Sequence, residues 1–225
     1  MAATRQGGQD ASPGKGRSFE YPKLHSFPPF FTLQPNPTTL SSQLSAWENL
    51  ILSHSRHHRY HFLDISPTSS ASETSRQLFR NERIARELRP QDVRTVLDHL
   101  VKNGNAAWEV SGRILDHPPS SSKQAGKDLS SVGGSSSTSR QRAVIYWRKP
   151  FEWADLIYEW VTSTGQNKSI MTLFELTEGD MVQGTEFYNL PIPILRKALQ
   201  ILSQQGKAQI FTGAEDGEGE GVKFV

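Results

Sequence analysis

Four histidines, His54, His57, His58 and His61, fall at spacings that can bring several imidazoles onto one helical face. Imidazoles grouped in that way are common ligands for a transition metal. Arg56 and Arg59 interleave with them, however. Added positive charge opposes cation binding, so a basic helix end, set against the negative end of the helix dipole, is the better reading. No metal is expected. Arg76, Arg80, Arg83, Arg86 and Arg89 form a second set, of the type that contacts phosphate. They read more simply as a solvated helix face paired with Glu82 and Glu87. Trp47, Trp108, Trp153 and Trp160 could wall a ligand cage, but at helical and strand spacing such residues are core. Residues 217–221 resemble a phosphate loop by glycine count alone, without the Lys-Ser/Thr ending or a following helix. The chain has no cysteine, which removes thiol catalysis, disulfides and cysteine-ligated zinc and suits a reducing compartment. No Ser-His-Asp or paired-carboxylate arrangement is present, so neither enzymatic activity nor a cofactor is expected.

The remaining candidate is a binding element. Phe27, Pro28, Pro29, Phe30 and Phe31 run together and lead through Thr32-Leu33-Gln34-Pro35 to Asn36-Pro37. The prolines predict an extended polyproline segment with free hydrogen-bonding groups. Three phenylalanines on so short a tether must dock, either on the chain's own domain or in a partner's groove. A pre-extended segment loses little entropy on docking.

Elements must carry these residues. Residues 1–20 and about 112–141 are rich in Gly and Ser and read as a disordered tail and a flexible insertion. The first eight residues lack the apolar core of a secretory signal, and no apolar run approaches the ~20 residues of a membrane span. A soluble intracellular protein is expected. Outside the polar stretches the chain looks like one unit used twice. Trp47, Leu50 and Ile51 correspond to Trp153, Leu156 and Ile157. Val93, Leu97, Leu100, Gly104, Ala106 and Trp108 correspond to Leu195, Leu199, Leu202, Gly206, Ala208 and Ile210. Asn36-Pro37, Pro90 and Pro150 mark helix starts, and Gly104, Gly165 and Gly206 mark helix ends. Shorter helices are predicted over residues 77–87 and 171–178. Strands are predicted over 105–110, 142–147, 207–212 and 222–225. Three helices and a two-stranded hairpin, twice, give a mainly α fold with small β-hairpins (α+β): two tandem winged helices. The expected boundaries are a docking segment at 21–37, a first domain at 38–148 and a second at 149–225.

Winged helices often bind nucleic acid. Here the long helices carry only Arg94, Lys102, Arg196 and Lys197, offset by Asp92 and Asp98, and the net charge is +2. Nucleic-acid binding is therefore the alternative reading, poorly supported by phosphate-neutralising charge.

The run from Phe27 to Asn36, with Gln43-Leu44-x-x-Trp47, resembles the N-terminus of the vacuolar protein sorting-associated protein 25 family, the small subunit of ESCRT-II. The later motifs are similar too: Trp147-Arg148-Lys149-Pro150-x-Glu152-Trp153, Leu156-Ile157-Tyr158-x-Trp160-Val161, Ser163-x-x-Gly165-Gln166-Asn167 and Gly221-Val222-Lys223-Phe224. The resemblance runs from Tyr21 to Val225. The tail and the Ser-rich insertion depart from the family pattern. The resemblance implies a non-catalytic adaptor of two winged helices. It implies docking of Phe27, Pro28, Pro29, Phe30 and Phe31 on two larger ESCRT-II subunits. It also implies contact with the nucleating ESCRT-III subunit through unspecified residues of 150–225. The output would be sorting of ubiquitinated membrane cargo to multivesicular bodies, by a cytoplasmic protein recruited peripherally to endosomal membranes.

Overall fold

The computed structural model describes residues 18–65, 73–110, 113–116, 141–211 and 220–225. The expected tail, apart from residues 18–20, lies outside the described residues, as do most of the Ser-rich insertion and the glycine-rich tip near the C-terminus.

Helix α1 (Pro37–His58) opens as its sequence requires. The Asn36 side chain accepts hydrogen bonds from the Thr38 and Thr39 amides at 3.0 and 3.2 Å, and Pro37 fills the first helical position. Strand β1 (Phe62–Asp64) and helix α2 (Glu73–Phe79) follow. Next comes a small hairpin, β2 (Arg80–Asn81) and β3 (Arg86–Glu87), and then helix α3 (Pro90–Lys102). Strands β4 (Ala106–Val110), β5 (Arg113–Leu115) and β6 (Arg142–Ile145) complete the first half. The second half contains α4 (Pro150–Ser163), β7 (Ile170–Thr172), α5 (Leu173–Glu178), α6 (Ile192–Gln204), β8 (Ala208–Phe211) and β9 (Gly221–Phe224).

The internal repeat is present in three dimensions. The two antiparallel sheets have strand orders β1-β6-β4-β5 and β7-β9-β8. In each half the long helices pack together and a three-residue strand pairs with the last strand of the hairpin. Gly104 and Gly206 close α3 and α6 with φ of +67° and +72°, the left-handed conformation that a Cβ penalises.

Several expectations need correction. Residues 77–87 are not one helix. Helix α2 ends at Phe79, and Arg80 to Glu87 form the hairpin, with Ala85 turning it at φ +51°. The three-residue arginine spacing therefore does not mark a helix face. Strands β1 and β7 are additional; three residues are too few to show alternation. The insertion starts later than 112, because Trp108 pairs with Leu115 and Glu109 with Ile114.

The core is divided in an unusual way. Strands β4 and β6 are apolar on both faces. Ala106, Trp108, Ala143 and Ile145 enter a first core with Trp47, Leu97 and Leu100. Their neighbours Ala107, Val144 and Tyr146 enter a second core with Trp153, Ile157 and Leu195. The period-2 alternation of a strand thus feeds two domains from one sheet.

Candidate partner-docking site

Residues 19–34 cross the surface of α1 as a strap. The strap is not extended polyproline. It makes two 3-10 turns, Lys23–Ser26 and Pro28–Phe31, closed by Phe27 N–H to Leu24 O at 3.0 Å and Thr32 N–H to Pro29 O at 3.2 Å. Proline fixes φ near a value shared by both conformations, so ψ was free to follow the docking contacts.

Those contacts are intramolecular. The Phe30 ring lies flat on Trp47, 4.2 Å between centroids, and Phe31 meets the same indole edge-on at 5.6 Å. The Phe30 carbonyl accepts from Trp47 Nε1 at 3.2 Å and from Gln43 Nε2 at 2.8 Å. Gln43 Nε2 also donates to Thr32 O, and its Oε1 accepts from the Gln34 amide at 3.1 Å. Both rings are 3% exposed. Of the two destinations open to Phe30 and Phe31, the rings here take the chain's own domain and complete the first core. The signal that could have found this lies on α1. Its buried face includes the polar residues Gln43, Glu48, His54 and Ser55, which need polar cover from outside the helix.

Phe27, Pro28 and Pro29 stay outside. Phe27 is 53% exposed and Leu24 40%. With Pro29, Gln34, Thr39 and Ser42 they line an apolar groove of about 350 Å³.

The histidines pin the strap. His54 is buried between two tyrosines, with Nδ1 2.8 Å from Tyr60 Oη and Nε2 3.2 Å from Tyr21 Oη. Burial lowers its pKa to about 4. Phe19, inside the expected tail, meets His54 and His57 edge-on at 4.7 and 5.4 Å. His61 instead stacks on Trp147 at 5.0 Å, and burial lowers its pKa to about 4 as well. Among the described residues no group of three or more His, Asp or Glu side chains is placed to hold a metal ion. Trp47, Trp108 and Trp153 are fully buried and divided between the two cores, so they wall no common cage.

Two of the four basic residues named on the long helices are committed to ion pairs. Arg196 pairs with Glu220 at 2.8 Å and Lys197 pairs with Asp116. Arg89 pairs with Asp92 at 2.7 Å. In the second domain, Phe151, Phe174, Met181 and Val225 are exposed. Among the described residues no helix is long and apolar enough to cross a membrane.

A family model described as "ESCRT-II complex subunit" matches residues 24–191. The chain belongs to this family. The human vacuolar protein-sorting-associated protein 25 is 38% identical over 207 residues, covering 92% of this chain and 98% of that protein. The zebrafish (Danio rerio) protein of that name is 37% identical, covering 92% and 99%. The Drosophila melanogaster protein is 32% identical over 206 residues, covering 92% and 98%. A crystal structure of subunit VPS25 of the endosomal trafficking complex ESCRT-II superposes with a TM-score of 0.68 at 25% identity, covering 91% of this chain and 98% of that one. The VPS22/VPS25/VPS36 complex contains a chain that matches with a TM-score of 0.68 at 26% identity, over 91% and 98%. The ESCRT-II family chain described here accordingly has the tandem winged-helix fold.

Proposed function

We propose that this chain is the small, non-catalytic subunit of an ESCRT-II assembly, docking on the two larger subunits through the outer face of its strap. The observation that carries the reading is the split within residues 27–31. Phe30 and Phe31 anchor the strap, so Phe27, Pro28 and Pro29 are held outward beside an apolar groove in a fixed conformation. Exposed aromatic side chains on a preorganised support are the usual hot spots of interfaces. The structure of the VPS22/VPS25/VPS36 complex supports the choice of partners, since a relative of this chain sits there with two other subunits. The second domain, residues 150–225, is assigned the ESCRT-III contact, and its exposed Phe151, Phe174 and Met181 are the candidates. The assembly then acts in sorting ubiquitinated cargo to multivesicular bodies, with the chain held at endosomal membranes through the complex.

The test is co-purification of the Phe27→Ala/Pro29→Ala variant with the two larger subunits. The expected result is a loss of roughly 2 kcal/mol or more of binding, about thirtyfold, at unchanged thermal stability. Undiminished binding rejects the docking face.

A further inference from the structure

Alternation along the strands of the second sheet separates its two faces. Met171, Ala208, Val222 and Phe224 enter the second core. Their neighbours Ile170, Gln209, Lys223 and Val225 therefore point away from it. Register sets these outward residues side by side. Ile170 pairs with Lys223, and Lys223 pairs with Gln209. Just past the strand ends lie Lys168, Val225 and Lys207. They are joined by Lys168 N–H to Phe224 O and Val225 N–H to Lys207 O, both at 2.9 Å. Thr172, Gly221 and Phe211 form the row at the other end of the sheet.

This outward face is both apolar and basic. Ile170 is 67% exposed and Val225 63%. A Cβ at Gly221 would lie 3.6 Å from Ile170 Cγ2, so the isoleucine methyls spread over backbone that carries no side chain. Lys168, Lys207 and Lys223 surround these aliphatic groups. The backbones of Lys168 and Lys207 flank β9, two strand spacings or roughly 10 Å apart. None of the three lysines forms an ion pair with a carboxylate of the described residues. Glu220, which leads into β9, is held instead by Arg196. Lys207 Nζ lies 4.8 Å from the Tyr158 ring centre, a contact that places the ammonium at the rim without neutralising it. Lys168 has φ +70°, a costly conformation for a residue with a Cβ. The acidic residues Glu215, Asp216 and Glu218 follow Phe211 and precede Gly221 in the sequence. Phe211 and Gly221 are at the end of the sheet away from Lys168 and Lys207.

Exposed apolar residues grouped on one face mark a contact surface. A nucleic-acid backbone would use the lysines but has nothing to set against Ile170 and Val225. An anionic lipid surface uses both. Ammonium groups meet the headgroup charges, while short aliphatic side chains enter the boundary beneath them. An open sheet face also suits a surface that needs no matching concavity.

We propose that the outward face of the β7-β9-β8 sheet contacts an anionic lipid surface directly. Lys168, Lys207 and Lys223 meet the headgroups, and Ile170 and Val225 enter the interface. None of these residues belongs to the strap, so the contact does not rest on the larger subunits.

The experiment uses the full chain. It is co-sedimented at low ionic strength with vesicles of phosphatidylcholine alone and of phosphatidylcholine with phosphatidylserine. Binding is expected only with phosphatidylserine, and it is expected to weaken as salt is raised. Each lysine at an anionic surface contributes roughly fivefold, so Lys168→Gln/Lys223→Gln is expected to bind roughly twentyfold more weakly. An Arg56→Gln/Lys102→Gln variant, with the same loss of charge on the first domain, is expected to change binding less than about twofold. Ile170→Ser/Val225→Ser keeps every charge and is expected to weaken binding roughly tenfold through lost apolar burial. None of the substituted side chains is buried, so all variants are expected to melt with the parent chain. No binding to the phosphatidylserine vesicles, or an equal loss in both charge variants, overturns the proposal. Binding to a polyglutamate peptide but not to vesicles also overturns it, and assigns the face to an acidic protein segment.

Discussion

Replacing Phe30 with alanine separates the folding role of the Phe-Pro segment from its binding role. The ring is 3% exposed and stacked at 8° to the Trp47 indole. Phe→Ala in a packed core costs about 3–5 kcal/mol, of which ~0.5–1.5 kcal/mol belongs to the ring pair itself. The hydrogen bonds from the Gln43 and Trp47 side chains to the Phe30 carbonyl do not need the ring, so the loss is packing alone. For a chain of this size that corresponds to a fall in melting temperature of roughly 10 °C. Local release offers a cheaper route than global unfolding. The strap is therefore also expected to become the earliest site of limited proteolysis, within residues 19–34. Phe27→Ala, at 53% exposure, is expected to change stability by less than about 0.5 kcal/mol. The measurements are thermal melts by circular dichroism and mass-spectrometric mapping of protease cuts. An unchanged melt together with unchanged protection of the strap in Phe30→Ala would refute the assignment of this ring to the core.

Two further outcomes follow from the same geometry. His54 and His61 both have pKa values lowered to about 4 by burial, against 6.5 when unfolded. Below pH 6.5 the unfolded chain binds protons that the folded chain refuses, so stability is full above that pH and is lost as pH falls toward 4. Urea midpoints are expected to drop between pH 7 and pH 5, with a smaller drop in His54→Phe; a flat profile counts against neutral buried imidazoles. Gly104→Ala meets no atom within 4 Å, so its cost is backbone strain alone, about 1 kcal/mol at φ +67°. A denaturation midpoint equal to that of the unsubstituted chain would show that the turn relaxes.

The repeat was legible because its signals are local. Proline at helix starts, glycine at helix ends and apolar spacing on α3 and α6 depend on neighbours within a turn or two. The fate of Phe30 and Phe31 was not legible, because it depends on Trp47 and Gln43 on another element. A pattern of apolar spacing on α1 marks its Leu and Trp positions but is silent on buried glutamine, and Gln43 is what grips the strap. The arginine run misled for a related reason. A spacing of three fits a helix, but Asn81 bonds locally to the Arg83 amide and turns the chain into a hairpin instead. That hairpin meets the strap through Asn81 Nδ2 and the His25 carbonyl, a contact across 56 positions of sequence.

The shared sheet constrains how the chain can vary. Val144 faces the second core while Ala143 and Ile145 face the first, and β6 is held in register by Trp108↔Ala143 and Ala107↔Val144. A slip of one residue would exchange side chains between the two cores at once. Neither winged helix can then be treated as a detachable module. Cutting the chain before α4 would uncover an apolar sheet face and invite self-association. The two halves, alike by repeat, are expected to melt as a single cooperative unit.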